Sequence, residues 1–262
     1  MLYTKNRLFF REYNLLSCYW AGFLAADGCI KTHNVLICRL SDRDYEHLDQ
    51  FRKDIEYTGQ LKRQYLRGNM KPGWFVDIWV CGAGEIVNDL RENFNVVPKK
   101  SLILQHPPID NLTHQLAFVK GYIDGDGSIS VYKYLKSNRI GLDLTILGTS
   151  DILNWIRSIF SNILGVEIRS KVRLQAKTKA YVFKMGNGIA YDVLKILEQS
   201  CDRGLKRKWD KIKEYEDMLE TRWFQGIRCG TNRFCYGPRH DLEKGNYTIP
   251  NFAWNRCNRP DE

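Results

Sequence analysis

Two nine-residue segments of the chain match each other. "WAGFLAADG" spans residues 20–28 and "VKGYIDGDG" spans 119–127, so Gly22, Asp27 and Gly28 align with Gly121, Asp126 and Gly127 at an offset of 99 residues. The likeness continues downstream. "CGAGEIVNDL" (81–90) and "MGNGIAYDVL" (185–194) each open an apolar-periodic run on Gly-x-Gly, and "VPKKSL" (97–102) and "LKRKWD" (205–210) each follow that run with cations. An internal repeat limits architecture before any local propensity does, because one unit is built twice and the copies must share a core.

Each copy predicts the same order of elements. In the second, a helix ends at Asp126-Gly127, a hairpin follows, and a helix starts at Ser150–Asp151 and stops at Gly165. Strands over 166–175 and 180–185 and a helix over 188–199 complete it. In the first, the pattern gives a strand at 35–40, a helix near 43–56, strands near 60–67 and 74–80, and a helix over 85–94. The expected fold class is α+β: two tandem αββαββα units related by a pseudo-twofold. Their sheets are antiparallel, because the short connections suit hairpins and not crossovers. The units are expected over 1–110 and 111–220. Residues 221–262 form a C-terminal extension outside the repeat, with arginine, aromatics, glycine and proline in no period and no role legible.

The repeated segment poses a physical problem. An interior glycine costs a helix about 1 kcal/mol against alanine, yet Gly121 and Gly125 stand four apart, as do Gly22 and Ala26. Small residues at that spacing let two helix backbones approach closely. These four are the expected seam between the copies. Asp27 and Asp126 then end their helices side by side, with Gly28 and Gly127 expected in the left-handed conformation that commonly terminates a helix. A carboxylate at that end faces the negative pole of the dipole, and two together raise each other's pKa. A divalent cation between them relieves both, and oxygen ligands without cysteine favour Mg²⁺.

Composition narrows the partners. The 262 residues are 44% hydrophobic and carry a formal net charge of +10, which favours nucleic acid or an anionic membrane surface. No apolar run approaches the roughly 20 residues of a membrane span, and the opening "MLYTKNRLFFREYN" has no secretory signal pattern. The eight cysteines read as reduced thiols of an intracellular protein. Cys229, Cys235, His240 and Cys257 have no CxxC spacing and predict no zinc site.

One strand suits a polyanion. In "EIRSKVRLQ" (167–175), Arg169, Lys171, Arg173 and Gln175 alternate with Ile168, Ser170, Val172 and Leu174. A strand alternates faces with period two, so one face would carry cations and an amide. Such a face suits the DNA major groove, which admits a two-stranded ribbon. Lys133, Lys136, Arg139, Lys177 and Lys179 lie on or beside neighbouring hairpins, and the matching strand of copy one carries Lys62, Arg63 and Gln64.

Over most of residues 15–220 the chain resembles the LAGLIDADG homing endonucleases, whose nine-residue signature both segments match. Two motifs imply the monomeric, pseudo-symmetric branch. The first motif departs in Trp20, where a leucine is usual, and in Ala25, where an earlier aspartate is common. The resemblance implies a metal-dependent double-strand break in a long, asymmetric DNA target lying along a saddle of two antiparallel sheets. It implies homing of an intron, intein or free-standing gene, in the compartment of the host genome. Asp27 and Asp126 would hold Mg²⁺ or Mn²⁺, with Ala26 and Gly125 in the same set, and no protein partner or membrane is implied. A lysine near each active site often assists in this family. Lys184, two residues before Gly186, is the candidate, and Val80 at the matching place before Gly82 suggests unequal sites. The alternatives are a non-cleaving nucleic-acid binder of the same fold, such as an RNA maturase or regulator, and a hydrolase using Asp124 with Asp126. The last is disfavoured, since residues two apart on a helix point in different directions.

Overall fold

The computed structural model describes residues 3–31, 34–67, 72–134, 139–176 and 178–224. Lys136, Lys177 and all the extension beyond 224, with Cys229, Cys235, His240 and Cys257, lie outside the described residues.

The first motif forms α1 (Leu15–Asp27), followed by β1 (Gly28–Lys31), β2 (Val35–Ser41), α2 (Tyr45–Asp54), β3 (Lys62–Leu66), β4 (Gly73–Val80) and α3 (Gly84–Phe94). The second forms α4 (Leu112–Asp126), then β5 (Gly127–Tyr134), β6 (Arg139–Gly148), α5 (Ser150–Leu164), β7 (Arg173–Leu174), β8 (Tyr181–Gly186) and α6 (Asn187–Gln199). A last helix, α7 (Lys206–Phe224), had no counterpart in the sequence reading. Each copy makes one antiparallel four-stranded sheet, ordered β1-β2-β4-β3 and β5-β6-β8-β7. The fold is the expected pair of αββαββα units.

Local chemistry explains the helix limits. Asn14 caps α1 by accepting from the Ser17 amide at 2.9 Å, while Ser17 Oγ accepts from the Asn14 amide at 3.0 Å; this reciprocal pair satisfies two otherwise orphan donors. Asn111 caps α4, and Thr149, one residue before the expected Ser150, caps α5. Gly165 ends α5 in the left-handed region, at φ +62°.

Gly28 and Gly127 do not adopt the left-handed conformation expected of them. Both are extended, at φ −74° and −95°, and open the strands that follow. They are glycines for want of room: a Cβ there would lie 2.6 Å from the Leu24 carbonyl oxygen and 2.5 Å from that of Ile123.

The seam between α1 and α4 is closer than side chains allow. A Cβ on Gly22 would stand 1.9 Å from the Phe118 carbonyl oxygen, and one on Gly121 would stand 1.9 Å from that of Tyr19. Toward the C-terminal end, a Cβ on Gly125 would meet the Ala26 methyl at 2.2 Å. The two backbones therefore touch directly along this line.

Around this pair the core is continuous. Leu36, Cys38, Leu40, Val76, Ile78 and Val80 turn one face of the first sheet inward, and Leu142, Leu144, Ile146, Phe183 and Met185 do the same in the second. The opposite face of each sheet stays open. Among the described residues no helix is long and apolar enough to cross a membrane.

The expected strand over 166–175 is mostly irregular. Only Arg173 and Leu174 pair with β8, opposite Val182 and Tyr181. Arg169 and Lys171 are exposed while Ile168 is buried, so exposure alternates even where no ladder forms.

Candidate active site and open sheet faces

At the C-terminal ends of α1 and α4 four charged side chains converge. Desolvation by the protein atoms crowded around it, then the charge of Asp126, pushes the Asp27 carboxyl up to about 6 although the residue keeps an exposed edge, while Lys208 and Lys100 oppose this. Burial also raises Asp126, again against Lys100 and Lys208. Both lysines are buried, at 8% exposure each. Desolvation pushes both ammonium groups below their usual range, and the nearby carboxylates partly restore them.

The lysines also close the helix ends. Lys208 Nζ donates to the carbonyls of Ile123 at 2.9 Å, Asp124 at 2.6 Å, Gly127 at 2.6 Å and Gly125 at 3.2 Å. Lys100 Nζ donates to the Gly28 carbonyl. A cation there complements the negative pole of the helix and satisfies carbonyls that have no intrahelical partner. Lys100 and Lys208 come from "VPKKSL" and "LKRKWD", so they are counterparts in the repeat. The segments align in the repeat, but nothing in the sequence distinguishes these two lysines from their basic neighbours.

Lys184, the candidate lysine, is on a strand of the second sheet, level with Ser128 two strands away. It lies on the open face of the second sheet, where its Nζ pairs with Asp143 at 2.8 Å. Ladder register also corrects its counterpart. Gly28 pairs with Cys38 and Cys38 with Ile78, whereas Gly127 pairs with Ile146 and Ile146 with Phe183. Ile78 thus corresponds to Phe183, and Lys184 to Trp79, not Val80.

Asp124 does different work from Asp126. It is 1% exposed and accepts from Tyr19 Oη at 2.7 Å, the Leu205 amide at 3.1 Å and Trp209 Nε1 at 2.9 Å. Burial raises its carboxyl to about 6, against these hydrogen bonds and Lys208. It ties α1, α4 and the start of α7 together inside the seam. Its counterpart Ala25 is buried as well.

The acid pair fits a divalent ion in its chemistry. Mg²⁺ is held by one or two carboxylates, with water and substrate phosphate filling the rest. Asp27 and Asp126 supply the carboxylates. The Gly125 carbonyl is shared with Lys208, and Ala26 offers only backbone. Among the described residues no cluster of three or more His, Cys, Asp or Glu forms a protein-only metal cage.

The open faces carry the remaining candidates. On the first sheet, Lys62 and Gln64 stand opposite Asp77 and Phe75 on the open side. Arg63 stands opposite the buried Val76, on the helix side; its Nε donates to Asp42 at 2.7 Å and its guanidinium lies over the Tyr45 ring. It therefore does not share the open face with Lys62 and Gln64. Arg39 and Trp79, which the sequence reading passed over, share the open side with Asp77. On the second sheet Arg139 and Arg173 are on the open side, opposite Tyr134 and Val182. Lys133, opposite Ile140, is on the other side, at the exposed end of the hairpin. Gln175 is exposed beyond the end of β7, where its backbone amide donates to Ala180.

No protein-family model matches the chain, and no curated protein is similar to it in sequence. Solved structures are similar in fold. The homing endonuclease I-GzeII in complex with its DNA target has a TM-score of 0.53 at 12% identity, covering 84% of this chain and 94% of that one. I-CpaMI bound to uncleaved DNA has a TM-score of 0.50 at 13% identity, covering 82% and 97%. I-SmaMI bound to uncleavable DNA has a TM-score of 0.50 at 12% identity, covering 81% and 90%. The chain has the fold of the LAGLIDADG homing endonucleases.

Proposed function

We propose that this protein is a site-specific DNA endonuclease that makes a double-strand break in a long, asymmetric target. The observation that carries the reading is the pairing of Asp27 and Asp126, each beside a buried lysine, between two open antiparallel sheets. Each sheet would lie in a major groove, with the acids over the minor groove between them. Asp27 and Asp126 would hold Mg²⁺ or Mn²⁺, which when bound stabilises the attacking water and the departing 3′-oxygen. Lys100 and Lys208 would balance the charge of the scissile phosphates while fixing the ends of α1 and α4. Lys62, Gln64, Arg139 and Arg173 would face the duplex, and Lys184, on the same open face and level with Ser128, would assist near the Asp126 site. The expected setting is a monomer in the compartment of the host genome, encoded in an intron, intein or free-standing gene.

Ala25 does not weigh against cleavage, because its counterpart Asp124 is locked among seam donors and away from the acid pair. The test is a plasmid library carrying randomised duplex inserts, treated with the full chain and Mg²⁺, Ca²⁺ or EDTA. Linearised plasmids should share one long, non-palindromic sequence and should arise with Mg²⁺ but not with Ca²⁺ or EDTA. Enrichment of a bound sequence without cutting in Mg²⁺ or Mn²⁺ would replace this reading with that of a non-cleaving binder.

A further inference from the structure

The open face of the first sheet hides an acid beneath its cations. Asp77 is 1% exposed although it points to the open side, because other side chains cover it. Its Oδ1 accepts from Arg39 Nε at 2.6 Å and its Oδ2 from Arg39 Nη2 at 2.7 Å. The Gln64 amide also donates to Oδ2, and Trp79 Nε1 lies at 3.4 Å. A buried carboxylate on a surface meant for a polyanion is unfavourable unless it organises something.

Its geometry says what it organises. A guanidinium is a planar fork with fixed donor directions. Asp77 occupies the side edge, formed by Nε and Nη2. The end edge, formed by Nη1 and the second hydrogen of Nη2, makes no hydrogen bond among the described residues. Arg39 keeps 38% side-chain exposure, so that edge can be reached from the open side. Two parallel N–H groups match the O6 and N7 acceptors of guanine in the major groove, the commonest specific arginine contact. Arg39 also follows Cys38, the ladder partner of Gly28, so it stands level with Asp27 one strand away. Among the described residues the second sheet has no arginine held by an acid at the matching register. Register places Leu147 and Val182 where copy one has Arg39 and Asp77.

We propose that Arg39, held by Asp77, reads one guanine in the half of the target bound by the first sheet, and that this reader has no twin in the other half. Arg39 is the specificity-determining residue and Asp77 is its positioning residue. The proposal rests on the reading of the protein as a site-specific DNA binder.

The experiment is a binding selection with the full chain on a randomised duplex library. Ca²⁺ replaces Mg²⁺, so that binding is measured without cutting. Wild-type protein is expected to enrich a motif with a near-invariant guanine at one position. Arg39→Lys keeps the charge but not the planar fork. It should lower the preference for that guanine by about 10-fold or more and leave other positions unchanged. Asp77→Asn should relax the same position while Arg39 is still present. Thermal melting checks that each variant is folded. A uniform loss of affinity with Arg39→Lys would make Arg39 a phosphate contact and overturn the proposal, as would an unchanged motif. An unchanged guanine preference in Asp77→Asn would remove the positioning role. If wild-type protein enriches no sequence, the site-specific binding reading falls and the proposal with it, which is a different outcome from a motif that ignores Arg39.

Discussion

Asp124 and Asp126 stand two residues apart in one helix and face different surroundings. Asp124 meets three donors inside the seam, whereas Asp126 meets Asp27 and two lysines at its end. Substitution should separate them. Asp126→Asn or Asp27→Asn is expected to reduce cleavage by on the order of 10²-fold or more with DNA affinity largely kept, as read by paired cleavage and binding assays. Equal loss of both would mean the change acts through folding. Asp124→Asn should act through folding. It brings amide hydrogens against Tyr19, Leu205 and Trp209, leaving buried donors unmatched at a cost of roughly 1–3 kcal/mol. Denaturant titration reads that cost, and unchanged stability would remove the hub role. The two outer acids were legible in the sequence because the repeat aligns them and a helix end makes them costly. Lys100 and Lys208 were less so. Their segments aligned, but which lysine folds back under a helix end depends on the path of the chain after α3 and α6. The counterpart of Lys184 was misassigned for a related reason. Counting back from a glycine assumed equal turns, while the ladder places Trp79 opposite it in the repeat.

Elements followed the sequence where periodicity was strong and departed where it was short. Helices α2, α3, α5 and α6 carry clear 3.6-residue spacing, whereas α1 and α4, buried in unbroken runs, were legible from the repeat instead. The segment 166–172 alternates but buries Ile168 without pairing its backbone, because an exposure period does not by itself supply a neighbouring strand. Arg63 fell on the inner side because the register of β3 was not fixed by alternation in a strand whose side chains are all at least partly exposed. The seam was legible, since glycine at i and i+4 in a helix has few other uses. Even one methyl should disturb it. Gly121→Ala places a Cβ 1.9 Å from the Tyr19 carbonyl oxygen and is expected to destabilise by roughly 1–3 kcal/mol or more; a melting temperature equal to wild type would refute the backbone contact. A pH effect belongs to α2. Tyr19 Oη gives its one proton to Asp124, so His47 Nε2, 3.2 Å away, is the donor to it, and burial lowers the His47 pKa to about 4. Asp44 opposes that shift, Lys208 and Arg207 add to it, and Asp54 opposes it. The ring is therefore neutral in the fold and takes up a proton on unfolding below about pH 6.5. Its contribution is fully present above that pH and is lost as pH falls toward 4. Relative to His47→Phe, wild-type protein should lose up to about 3 kcal/mol between pH 7.5 and 4. A stability difference that does not change with pH would mean the ring stays solvated.

At the scale of the whole molecule, each copy is fastened to the second helix of the other. The segment after α6 sends Arg203 to Asp54 at 2.8 and 3.0 Å and Arg207 to Asp44 at 2.7 and 2.9 Å, so it grips α2 at both ends. The segment after α3 reaches the start of α5, where Thr149 Oγ1 donates to the Leu104 carbonyl at 2.6 Å and Asp151 accepts from the His106 amide at 2.6 Å. The straps are alike in path and unlike in chemistry. Two bidentate arginine pairs hold one, and neutral donors supply much of the other. The first strap also carries Lys208, next to Arg207, under the end of α4. Loosening it should therefore reach the acid pair as well as the seam. Arg207→Ala leaves the Asp44 carboxylate, 6% exposed, without its bidentate partner. The expected cost is roughly 1–3 kcal/mol, below the usual penalty for breaking a fully buried pair because Arg207 is 40% exposed. A double-mutant cycle with Asp44→Ala isolates the pair. A coupling of about 1 kcal/mol or more is expected, together with a lower cleavage rate in Arg207→Ala under conditions where the protein stays folded. Additive stabilities would mean that the pair does not hold the strap. Full cleavage in the folded single variant would mean that Lys208 keeps its place under α4 without it.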